Sequence, residues 1–363
     1  MKRLTDLRER LGDVVQAPFE VSQLPGVQYT DPPGDPGLFG PGSVTWKVGS
    51  DWPSALVGGM SGLILGTLHP QVLAGTLDYS IFRTDPIGRL ARTASFVMAT
   101  GFASTPVAHG VIDHVNRLHK HIQGTTPTGK AYRADDPDLA VWTHTTIYGG
   151  FLDGHLLYAP RPIGGSDIDR YWAETARIPT MLGARGVPTS RSEVREYFRQ
   201  VRPQLEAGRD ALDSARWVLD GGKGNTPTVV DSGRALTERW QQLMPGHGLR
   251  ERACAYRERE RRILLFASLG AVKFAYWIFA KTATDLLPEW SGRMLQLDRS
   301  PVAEPMARAY FGALRLAVPT MPRALRLSIN RSQRAPISDN SATDAVDGAE
   351  FRTAARPTGG LDS

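Results

Sequence analysis

Apolar residues recur at helical spacing over most of the chain, and a proline or a capping residue begins many of the apolar runs. This pattern predicts helices that begin near Trp52, Pro70, Pro86, Pro106 and Pro137 and reach about Leu65, Ser80, Ala103, Gly124 and Leu157. Further helices are predicted over about 166–176, 190–219, 231–242, 248–282 and 300–317. No set of strands and no internal repeat accompanies them. We therefore predict an all-α fold with a single large helical domain.

The two ends of the chain depart from this pattern. Residues 1–42 combine a short charged helix with an arm rich in proline and glycine, and residues 331–363 are polar and are predicted to be disordered. The helical domain is expected over residues 43–330. The glycine-rich stretch 220–227 lacks the spacing of a phosphate-binding loop and is predicted to be a plain loop.

Composition narrows the function classes. The 363 residues carry a formal charge of +6, but the densest basic stretch, 250–262, mixes glutamates with its arginines, so we expect no nucleic-acid partner. The single cysteine, Cys254, excludes an intramolecular disulfide, a multi-cysteine zinc site and a four-cysteine iron–sulfur cluster. The charged N-terminal sequence has no apolar signal core, and we expect a cytoplasmic protein.

One apolar stretch is long enough to raise the question of a membrane span. Residues 263–280 are nearly all apolar, with Lys273 in the middle and Arg261, Arg262 and Lys281 at the ends. We interpret this stretch as a buried core helix. A peripheral membrane contact stays open as the alternative.

Five of the eight histidines lie between His109 and His144. In the helix predicted from Pro106, His119 shares an apolar face with Ile112, Val115 and Ile122, and it is expected to point inward. His114 and His121 fall on a polar stripe and are expected to be solvated. His144 is also expected to face the core. For either inward histidine, a hydrogen-bonded core residue is the alternative to a functional one.

The preceding helix carries Arg89 and Thr93 one turn apart, and Phe96 and Thr100 continue the same face. An arginine that faces inward requires an anionic partner, because an unpaired buried charge is costly. A haem propionate or a substrate carboxylate would meet this requirement. The alternatives are a salt bridge to Asp78 or Asp85, or simple exposure.

A series of short motifs carries a family resemblance. The chain is similar to the bacterial and fungal oxygenases related to latex clearing protein (rubber oxygenase) and MpaB, over roughly residues 40–330. The motifs, in order, are His69-Pro70, Asp85-Pro86-x-Gly88-Arg89-Leu90-x-Arg92-Thr93, Arg117-Leu118-His119-x-x-Ile122-x-Gly124, Tyr132-x-Ala134-Asp135-Asp136-Pro137, Trp142-x-His144, Tyr171-x-x-Glu174 and Leu286-Leu287-Pro288-x-Trp290.

The resemblance implies a haem-b protein with globin-like helix packing around a haem pocket. It implies that His119 ligates the iron, with His144 as the reserve ligand, and that Arg89, Arg92 and Thr93 lie near the haem. Arg89 and Thr93 are the catalytic candidates. The implied activity is oxygenation of an apolar small molecule, such as a lipid or isoprenoid, with dioxygen or peroxide. The alternatives are a haem-binding or redox-sensing protein without turnover, and a helical ligand-binding protein without haem.

Two positions depart from latex clearing protein. Arg92 stands where that protein has a lysine next to the threonine, and arginine cannot serve as an iron ligand or a base. The stretch near Leu73, where a glutamate base is expected, is apolar. Rubber cleavage by the same mechanism is therefore not expected.

Overall fold

The computed structural model describes residues 31–80, 83, 86–220, 274, 276–300 and 303–317. These residues form one large helical domain, which confirms the all-α prediction. The helices are α1 (Val44–Ser50), α2 (Trp52–Gly66), α3 (Pro70–Tyr79), α4 (Pro86–Phe102), α5 (Thr105–His119), α6 (Pro137–Tyr158), α7 (Ser166–Thr175), α8 (Arg177–Met181), α9 (Arg191–Val201), α10 (Arg209–Leu219), α11 (Glu289–Met294) and α12 (Ala303–Ala317). Residues 276–285 are also helical.

The helix starts follow the sequence signals closely. Proline stands in the first turn of α2 to α6, where its missing N–H costs no hydrogen bond. Asp136 caps α6 by accepting a hydrogen bond from the backbone N–H of Asp138 at 2.9 Å. These five helices begin within one residue of the positions that the sequence predicts.

The structure contains a small β-hairpin that the sequence did not predict. Strand β1 (Gln123–Thr125) pairs antiparallel with β2 (Ala131–Arg133), and Gly124 lies opposite Tyr132. Gly129 occupies the connecting turn with a φ of 87°, a conformation that favours glycine. Helix α5 consequently ends at His119, instead of continuing to Gly124 as predicted.

The single helix predicted over 190–219 is divided in two. Helix α9 ends at Val201 and passes into a 3₁₀ turn, Arg202–Gln204, and α10 begins at Arg209. Pro203 supplies no backbone donor and Gly208 precedes the second helix, so the chain breaks between them. The predicted helix over 231–242, the chain ends at 1–30 and 331–363, and much of 248–282 lie outside the described residues.

The centre of the domain is the crossing of α2 and α6. Glycines on both helices allow their backbones to touch: a Cβ atom at Gly58 would lie 2.1 Å from the carbonyl oxygen of Gly150, and one at Gly62 would lie 2.6 Å from that of Thr146. Trp142 on α6 is fully buried and donates a hydrogen bond from Nε1 to the carbonyl oxygen of Gly66. This crossing fixes the frame against which the other helices pack.

A buried ion pair ties the last described helix to this frame. Arg315 of α12 donates two hydrogen bonds to the carboxylate of Asp51, at 2.8 and 2.7 Å, and a third to the carbonyl oxygen of Tyr158 at 2.9 Å.

Among the described helices no single one is long and apolar enough for a membrane span. Helices α2 and α3 meet these criteria only together, and they are bent by 105° at their junction.

Candidate functional site

The candidate site begins with Arg89 and Thr93 on α4. Arg89 Nη1 donates to Thr93 Oγ1 at 3.1 Å, and the Thr93 hydroxyl donates to the carbonyl oxygen of Arg89 at 3.1 Å. Burial lowers the pKa of Arg89, and the neighbouring cation Arg92 lowers it further. Within the described parts of the chain, Arg89 forms no ion pair with a carboxylate.

Asp78 and Asp85 are the two carboxylates that the sequence offers as alternative partners of Arg89. Asp78 accepts a hydrogen bond from the hydroxyl of Tyr132, and it forms part of the contact between α3 and the hairpin. Asp85 lies outside the described residues. Arg89 is therefore a half-buried cation whose hydrogen-bond partner in the described structure is a neutral hydroxyl, which makes the place attractive to an anion.

His119 is the last residue of α5 and is half-buried, with its backbone carbonyl accepting a hydrogen bond from the N–H of Ile122 at 3.1 Å. Burial lowers the pKa of the imidazole; Asp135 opposes this effect, and the positive charge of Arg89 adds to it. His119 is thus a neutral imidazole at pH 7. A neutral imidazole can offer a lone pair to a metal ion.

The order of the helices explains why the charge of Arg89 acts on His119. Only two residues separate α4 from α5, and the two helices pack against each other. The start of α4 therefore lies close to the end of α5, and Arg89 acts electrostatically on His119. The structure joins Arg89 and Thr93 by hydrogen bonds on α4, and α4 packs against α5, which ends at His119.

His144 occupies a different environment. It is buried on α6, with its ring stacked on Tyr148 at 4.5 Å between centroids and edge-on to Trp172 at 6.2 Å. Neither ring nitrogen has a hydrogen-bond partner among the described residues, and burial alone lowers the pKa of His144 to about 3. The prediction that His144 faces the core is confirmed. Its assignment as a cofactor residue stays a prediction, because no described charged group of the Arg89 site acts on it.

The other predicted residues are mostly at the surface. Arg92 is exposed one turn from Arg89. His121 is exposed, as the helical phase predicted, whereas His114 is half-buried. Among the described residues, no group of three or more histidine, cysteine, aspartate or glutamate side chains is arranged to hold a metal ion.

Sequence reasoning did not anticipate the electrostatic effect of Asp135 on His119. The residue lies in one of the motifs that carry the family resemblance, but the hairpin that returns it to His119 was not predicted. The available signal was the turn sequence Thr126-Pro127-Thr128-Gly129 between two short stretches. Three-residue strands are too short to show the alternation that identifies longer ones.

Comparison with protein families identifies this helical domain as the catalytic domain of an oxygenase. The family is described as "ER-bound oxygenase mpaB/B'/Rubber oxygenase, catalytic domain". Its model matches residues 46–317, so the chain belongs to this family. The matched region contains Arg89, Thr93, His119 and His144. Neither the curated proteins nor the solved structures give a match to the chain.

Proposed function

We propose that the protein is a haem-b dependent oxygenase that acts on an apolar small molecule, such as a lipid or isoprenoid, with dioxygen or peroxide as the second substrate. One observation carries the proposal: the half-buried Arg89, which forms no ion pair with a described carboxylate, donates a hydrogen bond to Thr93 on α4, and α4 packs against the helix that ends at His119. Family membership independently supports oxygenase activity.

The donor set fits haem on two counts. His119 offers a neutral imidazole, the commonest protein ligand of haem iron. Arg89 offers a fork of N–H donors that suits a propionate carboxylate, and such a carboxylate would supply a counter-charge that no described carboxylate supplies. Bound haem would supply a redox-active iron with an open coordination position for oxygen.

The chain's own residues have separate roles in this proposal. His119 holds the iron, and Arg89 binds the propionate and orients the hydroxyl of Thr93, which it already contacts at 3.1 Å. The hydroxyl proton of Thr93 goes to the carbonyl oxygen of Arg89, so Thr93 would have to release that bond before it could donate to an oxygen atom in the site. Arg92 takes no part in proton transfer, because it is exposed and arginine stays protonated.

The choice of an apolar substrate rests on the family, whose description includes rubber oxygenase. A haem protein without turnover is the second candidate, since it would have the same iron site. It is favoured by Arg92, which is exposed and stands where latex clearing protein has a lysine.

The test combines haem content with oxygen uptake. Protein produced with haem supply is expected to retain haem and to consume oxygen with an alkene such as squalene. Arg89→Gln should weaken haem retention about tenfold or more, because a buried charge partner is lost. The exposed Arg161→Gln is the matched control and should behave like the wild type. Haem retention without oxygen uptake on any alkene would favour the sensor, and no haem retention would refute the proposal.

A further inference from the structure

Four arginines form a row along one side of α9 and the 3₁₀ turn that follows it. Arg191, Arg195 and Arg199 are spaced four residues apart, and Arg202 follows three residues later. At 3.6 residues per turn, their four directions fall within about 80° of one another, and the row is about 16 Å long. All four arginines are exposed.

The opposite side of α9 packs into the domain. Val194 and Val201 are buried and belong to two of its hydrophobic clusters, and Phe198 is half-buried against both. Because this apolar side fixes α9, the arginine row has a defined position on the surface of the folded protein.

Two arginines of the row have partners that leave them accessible. Arg199 pairs with Glu196 in an exposed contact, which solvent screens. Arg202 lies over the ring of Trp290, 4.6 Å from its centroid, and this contact keeps the guanidinium positive. Trp290 is half-buried, and tryptophan beside arginine is typical of protein surfaces that meet lipid headgroups.

The other two arginines, Arg191 and Arg195, form no salt bridge with any described carboxylate. Asp169 accepts a hydrogen bond from the backbone N–H of Arg191 at 2.7 Å, and Asp153 is within electrostatic reach of the same residue. Like charges four residues apart destabilise a helix. An anion bound along the row would therefore relieve a repulsion that α9 carries by itself.

We propose that the arginine row of α9 docks the protein on an anionic membrane surface. Guanidinium groups bind phosphates through paired hydrogen bonds, and each arginine near an anionic bilayer raises the affinity about fivefold. A bilayer offers phosphates all along a row of this length, whereas an acidic protein would need a matching row of carboxylates. The choice of a membrane rests on the proposed function, because an apolar lipid or isoprenoid substrate dissolves in a bilayer and not in water.

Sedimentation of the purified full-length protein with lipid vesicles tests the proposal. The wild type should bind phosphatidylcholine vesicles that contain about 25% phosphatidylglycerol, should not bind pure phosphatidylcholine, and should be released by about 1 M salt. Arg191→Gln/Arg195→Gln should bind about 25-fold more weakly. Its melting temperature should not fall, because a repulsive pair is removed.

Two further variants separate the row from net charge. Arg117→Gln/Arg161→Gln removes the same charge from exposed positions on other segments and should weaken binding less than about threefold. Glu196→Gln frees Arg199 and should strengthen binding about fivefold. Equal losses in the two double variants would overturn α9 as the docking surface.

The outcomes also separate this inference from the proposed function. A wild type that does not bind the phosphatidylglycerol vesicles overturns membrane docking in favour of an acidic protein partner, and it leaves haem retention and oxygen uptake untouched. A wild type that binds these vesicles through α9 but retains no haem refutes the proposed function and supports the docking surface.

Discussion

At the scale of single residues, the polar groups that the domain buries are the most informative. His144 is buried, whereas Arg89 and His119 are half-buried, and of the three only Arg89 and His119 act on each other electrostatically. Burying an imidazole without a hydrogen-bond partner costs free energy. The helical phase of the sequence predicted the inward direction of His119 and His144. It could not tell which of them meets Arg89, because that depends on how α4, α5 and α6 pack.

The burial of His144 predicts acid sensitivity. Its pKa in the folded protein is about 3, whereas an unfolded chain has an ordinary value near 6.5. Above pH 6.5 the His144 imidazole is neutral in both the folded and the unfolded protein, so its titration takes nothing from the free energy of unfolding. As the pH falls from 6.5 towards 3, only the unfolded state binds the proton, so His144 alone should cost about 2 kcal/mol of unfolding free energy at pH 5.

Urea denaturation at pH 7.5 and pH 5 checks this effect. His144→Phe keeps the ring stack on Tyr148. Between pH 7.5 and pH 5, its free energy of unfolding should fall by about 2 kcal/mol less than that of the wild type. His121→Phe, at an exposed position, should retain the wild-type pH dependence. An unchanged pH dependence in His144→Phe would contradict the buried, neutral state.

At the scale of elements, the sequence predicted the starts of the long helices because proline, capping residues and apolar spacing act locally. It did not predict the hairpin, whose strands have three residues each and whose anchors, Tyr132 to Asp78 and Gln71 to Ala131, join segments distant in sequence. The sequence also failed to predict the break at Pro203, because the apolar spacing on both sides of it is typical of one continuous helix. The electrostatic effect of Asp135 on His119 arises through the hairpin, so it could not be predicted either.

The α2–α6 crossing gives a prediction at this scale. Gly58→Ala should destabilise the domain by about 3 kcal/mol, because the new methyl group would meet the backbone oxygen of Gly150 and force the helices apart. Gly110→Ala is the matched control: a Cβ atom there meets no atom within 4 Å, and the substitution should stabilise α5 by about 0.5–1 kcal/mol. Thermal unfolding of both variants measures the difference. Equal melting temperatures would contradict the close packing.

At the scale of the whole molecule, the frame and the site are built from different helices. The α2–α6 crossing and the Asp51–Arg315 ion pair form the frame, whereas α4 and α5 carry Arg89, Thr93 and His119. Membership of the oxygenase family covers both parts, since the matched region extends from residue 46 to residue 317. Substitutions in the site can therefore be tested for chemistry without dismantling the frame.

The absorption spectrum of purified His119→Ala, produced with haem supply, tests the central proposal most directly. The wild-type protein should show a Soret band, and His119→Ala should lose or shift it because the iron loses its protein ligand. His121→Ala, an equivalent change at an exposed histidine two residues later, should keep the wild-type band. A wild-type Soret band that persists unchanged in His119→Ala would contradict the assignment of His119 as the iron ligand.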